Sequence, residues 1–224
     1  MSDDLAAWSP RQRPETLFAE GRHVSVERIV DDRRFEELYD AYRADAAGDL
    51  YAWLPYGPFD NRADFMDFAR RTYIDGETCF YAIVPASSGR AEGVAALMRT
   101  DTVMGVTEIG HICLAPSLQR TPAATEAFAL LMTYVFDELG YRRFEWKCDN
   151  GNGPSKRAAA RLGFVEEGLF RQHMVVKGRN RDTAWFSILD SEWPLLRHAF
   201  TRWLDPANFD VANCQIASLS ELRG

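Results

Sequence analysis

The stretch best equipped for chemistry is Glu108-Ile-Gly-His-Ile-Cys-Leu-Ala-Pro-Ser-Leu-Gln-Arg-Thr-Pro-Ala-Ala-Thr-Glu126, which sets a carboxylate, an imidazole and a thiol ahead of a helix start. Thr121 followed by Pro122 has the form of an N-cap and a first helical residue, where proline's missing N–H costs nothing. The amides of Ala123, Ala124 and Thr125, with those of Arg120 and Thr121, are then expected to point outward beside a guanidinium. Such a terminus attracts phosphate, although most helix starts bind only water. A second helix start, Asp149-Asn-Gly-Asn-Gly-Pro-Ser155, invites a dinucleotide-binding reading, but Lys156 stands where the third glycine belongs. The spacing of a P-loop and its Lys-Ser/Thr pair are missing. Cys79, Cys113, Cys148 and Cys214 form no C-x-x-C pair, so they read as reduced, mostly buried thiols, and no metal site is expected. Between two helical segments lies Tyr51-Ala-Trp-Leu-Pro-Tyr-Gly-Pro-Phe59, with more aromatic surface than a solvent loop needs. Either it packs its rings on the core, or Trp53 and Tyr56 shape a substrate pocket.

These residues need a scaffold, and hydrophobic periodicity outlines one. Met1 to Gly21 has no period and reads as an arm; alternation begins with a strand at 23–29. Asp31 and Asp32 stand before Phe35, Leu38, Tyr39 and Tyr42, the pattern of an acid-capped amphipathic helix, and a second helix is expected from Arg62 to about Tyr73. Apolar runs at 78–84, 93–99 and 106–114, separated by turn residues, form a three-strand meander. Phe128, Leu131, Met132, Val135, Phe136 and Leu139 then share one face of a helix that Gly140 ends. A strand at 141–148, a short helix at 155–162 ended by Gly163, strands at 164–176 and 183–189 around the turn 177–181, and a helix at 192–204 complete the chain. Clustered strands, then strand-helix-strand, then a hairpin make a mixed α+β sheet.

Composition narrows the partners. The 224 residues are 46% apolar and 26% charged, as in soluble globular proteins, and suit a single main domain. With 33 acids against 26 bases, a formal charge of −7 repels a polyanion, so no nucleic-acid partner is expected. No apolar run has the length of a membrane span, roughly 18 residues, and Met1 to Pro14 is too polar for a signal peptide, so a cytoplasmic protein with no membrane partner is expected.

The two helix starts, in this order with a strand between them, resemble the GNAT superfamily of acetyl-coenzyme A-dependent N-acetyltransferases, in its RimJ/RimL-like branch. The family's Q/R-x-x-G-x-G/A loop is matched by Gln119-Arg-Thr-Pro-Ala-Ala124, and its N-x-x-S-x-x-A-x-x-x-L-G-F element by Asn152, Ser155, Ala158, Leu162, Gly163 and Phe164. The resemblance runs from about Gly21 to Pro194, through Leu54-Pro-Tyr-Gly-Pro-Phe59, Phe170-Arg-Gln-His and Lys177-Gly-Arg-Asn-Arg-Asp-Thr-Ala-Trp185. It departs at Pro122, which replaces the central glycine of the pyrophosphate loop and removes a donor.

The resemblance implies a mostly antiparallel twisted sheet of about seven strands flanked by helices. Residues 1–20 are then an arm, 21–194 the acetyltransferase domain and 195–224 a helical extension packed on it. It further implies acetyl-CoA as acetyl donor, without a metal, and a primary amine as acceptor, either a protein N-terminus or a small amine. Ile112, Cys113 and Leu114 would pair with the pantetheine arm, and Gln119, Arg120, Thr121, Pro122, Ala123, Ala124 and Thr125 would hold the pyrophosphate. Asn152, Ser155 and Ala158 would touch the cofactor, and Trp53, Tyr56 and His111 the acceptor. Glu108 is the candidate base, acting through water, or else an ordinary salt-bridged carboxylate. The tyrosine that many members use to protonate the thiolate is Ala159 here, so Ser155 becomes the candidate acid, or else a helix-start residue satisfying amides. A non-catalytic acyl-CoA-binding module is the rival reading, and pairing of strand edges in a homodimer is compatible with both.

Overall fold

In the computed structural model, which describes residues 5–15, 18–212 and 214–223, the strands make one sheet in the order β1-β2-β3-β4-β5-β6-β8-β7. They are β1 (Phe18–Glu20), β2 (Val24–Arg28), β3 (Cys79–Pro85), β4 (Gly93–Asp101), β5 (Val106–Leu114), β6 (Arg143–Asp149), β7 (Val165–Val176) and β8 (Arg179–Leu189). The helices are α1 (Phe35–Tyr42), α2 (Arg62–Ala69), α3 (Pro122–Thr133), α4 (Gly153–Leu162) and α5 (Trp193–Trp203). The sheet is the expected mixed one, with eight strands rather than about seven. The extra strand, β1, lies inside the segment read as an arm and is only three residues long, too short for alternation to register.

All neighbouring strands are antiparallel except β5 and β6, which α3 connects. Their parallel pairing covers only Val106–Ile109 against Arg143–Trp146, after which both strands continue without each other. The alternation along β6 is strict: Phe144, Trp146 and Cys148 are buried on one face, while Arg143, Glu145 and Lys147 stand on the other. The first face is covered by α3 and α5 through Phe128, Leu131, Met132, Trp193 and Phe200. The second face is covered by α1 and α2 through Phe35, Leu38, Tyr42 and Phe65, in a cluster whose buried members end at Ala115. The second face of β6 and β8 therefore lies beyond that cluster, and charged side chains occupy it.

Two details of the helices differ from the sequence reading or sharpen it. Asp31 and Asp32 do not cap α1: its N-cap is Arg34, Asp31 accepts from the Arg33 amide, and Asp32 pairs with Arg70. The helix start is instead served by Glu36 and Glu37 in its first turn. Glu126 on α3 is buried, and its carboxylate accepts from the amides of Arg22 at 2.9 Å and His23 at 2.6 Å. That bond ties α3 to the β1–β2 turn. Gly21 leaves room for it, since a Cβ there would lie 2.4 Å from the carboxyl carbon. Glu126→Ala is expected to lower stability by about 2 kcal/mol, because two partly buried amides lose a charged acceptor. Urea denaturation should rank wild type above Glu126→Gln and Glu126→Gln above Glu126→Ala.

Candidate active site

A cleft of about 760 Å³ opens where β5 and β6 part. Its walls come from the 45–55 segment, the ends of β4, β5 and β6, the start of α4 and the β7–β8 hairpin. The structure brings Trp53, Glu108, His111, Ile112, Cys113, Leu114, Gln119, Asn152, Ser155 and Ala158 to it. Arg120, Ala124 and Thr125 follow Gln119 outside its lining, while Thr121, Pro122 and Ala123 line a smaller hollow of about 280 Å³ with Arg22 and His23.

The backbone at the parting is bent by bulges. The β4–β5 register slips between Val94 and Ala96 and again between Met98 and Asp101. Its left-handed residues are His111 at φ 49° and Arg99 at φ 47°. Each bulge turns its strand and re-aims one side chain. Residues 110–114 consequently have no partners on β6. The Leu114 carbonyl takes the Gln119 amide at 2.9 Å and the Cys113 carbonyl takes the Tyr42 hydroxyl at 3.1 Å.

At the start of α3 the free donors are not all those expected. Thr121 is the N-cap, as the Thr-Pro pair indicates, and its hydroxyl oxygen accepts from the Ala124 amide at 3.1 Å. The Thr125 amide donates to the Thr121 carbonyl at 3.3 Å. Among the described residues the amides of Arg120, Thr121 and Ala123 remain without such a bond, next to an exposed Arg120 held at φ 61°.

On the α3 side of the cleft, Asn152 caps α4 by accepting from the Ser155 amide at 3.1 Å. The Ser155 hydroxyl oxygen accepts from the Trp146 indole at 3.0 Å, so its own proton is turned elsewhere. Cys148 lies beside it, its thiol raised by burial while Ser155 and Arg181 act in the opposite direction.

On the opposite side, Glu108 is buried and both its oxygens accept from the Arg99 guanidinium at 2.8 Å. Its Oε2 also meets Lys147 Nζ at 3.0 Å, and Lys147 reaches Glu145 at 2.8 Å. The Lys147 ammonium stands 3.7 Å from the centre of the Trp185 ring. Glu108 is thus salt-bridged, its oxygens held by the Arg99 guanidinium and the Lys147 ammonium. Arg99, Lys147, Met174, Val176 and Arg181 were not singled out from sequence, because their placement depends on the parallel register and on the hairpin's reach.

The aromatic segment divides between the core and the cleft. Tyr51, Tyr56 and Phe59 pack among α2 rings and one another, while Trp53, Leu54 and Pro55 line the cleft. The hairpin tip holds it there: Lys177 Nζ donates to the carbonyls of Tyr51 at 2.9 Å and Gly57 at 2.8 Å. Tyr56 does not line the cleft; it lies against His111, rings stacked at 5.6 Å and 7°. The Tyr56 hydroxyl and His111 Nδ1 are both buried without partners among the described residues. Burial, and secondarily the Arg99 charge, lowers the His111 pKa to about 4.

The acetyltransferase (GNAT) domain description matches residues 28–165. A solved GCN5-related N-acetyltransferase from Brucella melitensis is 50% identical with a TM-score of 0.95, over 98% of this chain and 99% of that one. An uncharacterised N-acetyltransferase of Bacillus subtilis, YnaD, is 30% identical over 183 residues, 76% of this chain and 99% of YnaD. YdaF of the same organism, provisionally assigned as a ribosomal N-acetyltransferase, is 34% identical over 101 residues, which span 45% of this chain and 55% of YdaF.

His111 yields a stability signature. With its folded pKa about 4 and the unfolded value near 6.5, the unfolded chain binds more protons between those limits, so stability falls as pH drops from about 6.5 to 4. The loss should reach on the order of 3 kcal/mol. Thermal melts at pH 7 and pH 4.5 should show a smaller acid-induced drop for His111→Asn than for wild type.

Proposed function

The chain belongs to the GNAT acetyltransferase family, and on that premise we propose that it transfers acetyl from acetyl-CoA to a primary amine by direct attack, with both substrates in one cleft. The observation that supports this reading most is the parting of β5 and β6, which joins the two faces of the sheet through a single opening. Acetyl-CoA supplies the acetyl group as a thioester: the amine nitrogen forms a C–N bond, the C–S bond breaks, the amine gives up a proton and the thiolate gains one.

The chain's own residues divide that work by face. Ile112, Cys113 and Leu114, without β6 partners, offer backbone groups to the pantetheine arm. The amides of Arg120, Thr121 and Ala123 with the Arg120 guanidinium offer donors to the diphosphate, while Pro122 has none to give. Ala124 and Thr125 support that turn through their bonds to Thr121, and Gln119 supports it by holding Leu114. Ala158 walls the cleft and Asn152 fixes the first turn of α4. Ser155 is the proton donor to the thiolate: with its oxygen already accepting from Trp146, its O–H is the part left to act.

On the acceptor side, Glu108 is a positioning residue that holds Arg99 and Lys147. The amine proton passes to water beside the neutral His111 imidazole, which is undemanding for an α-amine of pKa near 8, already partly neutral at pH 7. Trp53 borders the acceptor, and Tyr56 backs His111. Orientation of the two substrates then supplies much of the rate.

Thiol release from acetyl-CoA should depend on an added amine. Ser155→Ala is expected to lower kcat by about 100-fold at unchanged acetyl-CoA affinity, a usual size for a lost acid. Arg120→Glu should instead weaken acetyl-CoA binding by about 10-fold or more in calorimetry, since it sets an anion beside the phosphates. Coenzyme binding without thiol release for every amine offered would identify a non-catalytic acyl-CoA-binding module.

A further inference from the structure

The cations of the cleft differ in one respect. Arg99 and Lys147 are neutralised by Glu108 and Glu145. Arg181 lines the same cleft, yet among the described residues no carboxylate lies within ion-pair distance of it, and its Nε is buried without a hydrogen-bond partner. Lys177, close by on the hairpin, already spends its charge on two carbonyls of the aromatic segment. A guanidinium cannot shed its proton, and a buried N–H left unbonded is costly, so Arg181 is built to meet an acceptor that this chain does not supply.

Register fixes where that acceptor sits. Along β8, Arg181, Thr183 and Trp185 alternate onto one face, and Trp185, opposite Lys147 on β6, carries the Lys147 ammonium. That is the charged face, across the sheet from Trp146 and Ser155. The 45–55 segment brings Asp45 and Asp49 into the lining of the same cleft, and Asp45 uses only one oxygen internally, on the Leu50 amide. The acceptor side thus has carboxylates on one wall and an unpaired guanidinium on another, complementary to a molecule with both an ammonium and an anion.

Resting on the acetyl-transfer reading, we propose that Arg181 is the specificity-determining residue for the acceptor, and that the acceptor amine carries an anionic oxygen group, carboxylate or phosphate. The planar fork of the guanidinium matches either group with two parallel hydrogen bonds. A neutral aromatic amine would satisfy Trp53 and leave Arg181 unbonded; an acidic acceptor satisfies both.

The test uses matched acceptors with the full chain and acetyl-CoA: an α-amino acid against its carboxamide, 2-aminoethyl phosphate against ethanolamine, and a peptide with an acidic residue near its N-terminus against the amidated peptide. Wild type should favour at least one anionic member by about 10-fold to 100-fold in kcat/KM, the range for a hydrogen bond to a charged group. Whichever pair shows the preference identifies the source of the anion. In Arg181→Gln the preference should vanish through a raised KM with little change in kcat, Arg181→Lys should restore part of it, and acetyl-CoA affinity should be unchanged in both. Equal use of charged and neutral members by wild type, or equal losses on both members in Arg181→Gln, would overturn the inference. So would a weakened hold on acetyl-CoA. Absence of thiol release with every amine would overturn the transferase reading instead. Calorimetry of the N-acetylated products with CoA present would then still decide, a preference for the anionic product upholding the role of Arg181 and no preference refuting it.

Discussion

Parallel strands β5 and β6 share hydrogen bonds only as far as Ile109 and Trp146, yet β5 runs on to Leu114 and β6 to Asp149, each still bonded on its outer side. They part because β5 follows β4 through two bulges, while β6 stays in unbroken register with β8. A sheet rarely leaves interior backbone groups unpaired, since each one kept from water needs another partner. Here the side chains of Gln119 and Tyr42 take two carbonyls, and the remaining groups face an opening that a peptide-like arm can fill. The same opening joins two faces of unlike chemistry. Without it, Ser155 on one face and Arg181 on the other would not line one cleft.

Among the described residues α1 and α2 pack on the sheet elsewhere, and the charged face is ordered by its own ion pairs. Beyond the reach of α1 and α2, β6 presents Arg143, Glu145 and Lys147, and the parallel register sets Glu108 directly opposite Glu145. Two carboxylates side by side would repel, and Lys147 bridges them while Arg99 closes the far side. Removing one member of such a buried cluster leaves its partners uncompensated, so the cluster is stiff. Stiffness suits a cleft floor, where misplacing a bound amine by an ångström costs rate. The cluster's charges cancel locally, which leaves the outward electrostatics of this side to residues at its rim.

Much of this architecture was legible in the sequence where local physics decides it. Thr121-Pro122, Gly140 and Gly163 mark helix ends through capping geometry that few other residues provide, and the alternation from Arg143 to Asp149 states which side chains share a face. What stayed hidden depends on register or on distant contacts. Glu108 and Lys147 are 39 positions apart by their numbering, and only parallel pairing shows that they meet. Asp31 and Asp32 have the composition of a cap, yet Arg33 and Arg70 take their oxygens. The turn composition of 177–181 hides Arg181, whereas β8 already begins at Arg179 and carries it into the cleft. A helix start alone points the amides of Ala124 and Thr125 outward, whereas in the fold Thr121 takes both.

The places where the chain breaks its own rules lie close together. Arg99, His111 and Gln172 hold left-handed backbone in strands, Lys177 holds it at the hairpin tip and Arg120 at the entry to α3. Of the five buried side-chain polar atoms without a partner among the described residues, those of His111 and Arg181 belong to residues that line the cleft, and those of Tyr56 and Trp185 to rings packed against its lining residues His111 and Lys147. Elsewhere buried groups find partners across long stretches of chain, as Tyr81 does with Pro14, Tyr141 with Gln12 and Glu126 with the β1–β2 turn. Packing that satisfies donors so consistently away from the cleft had the means to satisfy them within it. That the deficits gather there fits a surface finished by its substrates, with the surrounding sheet stable enough to hold strained and unsatisfied groups in place until they bind.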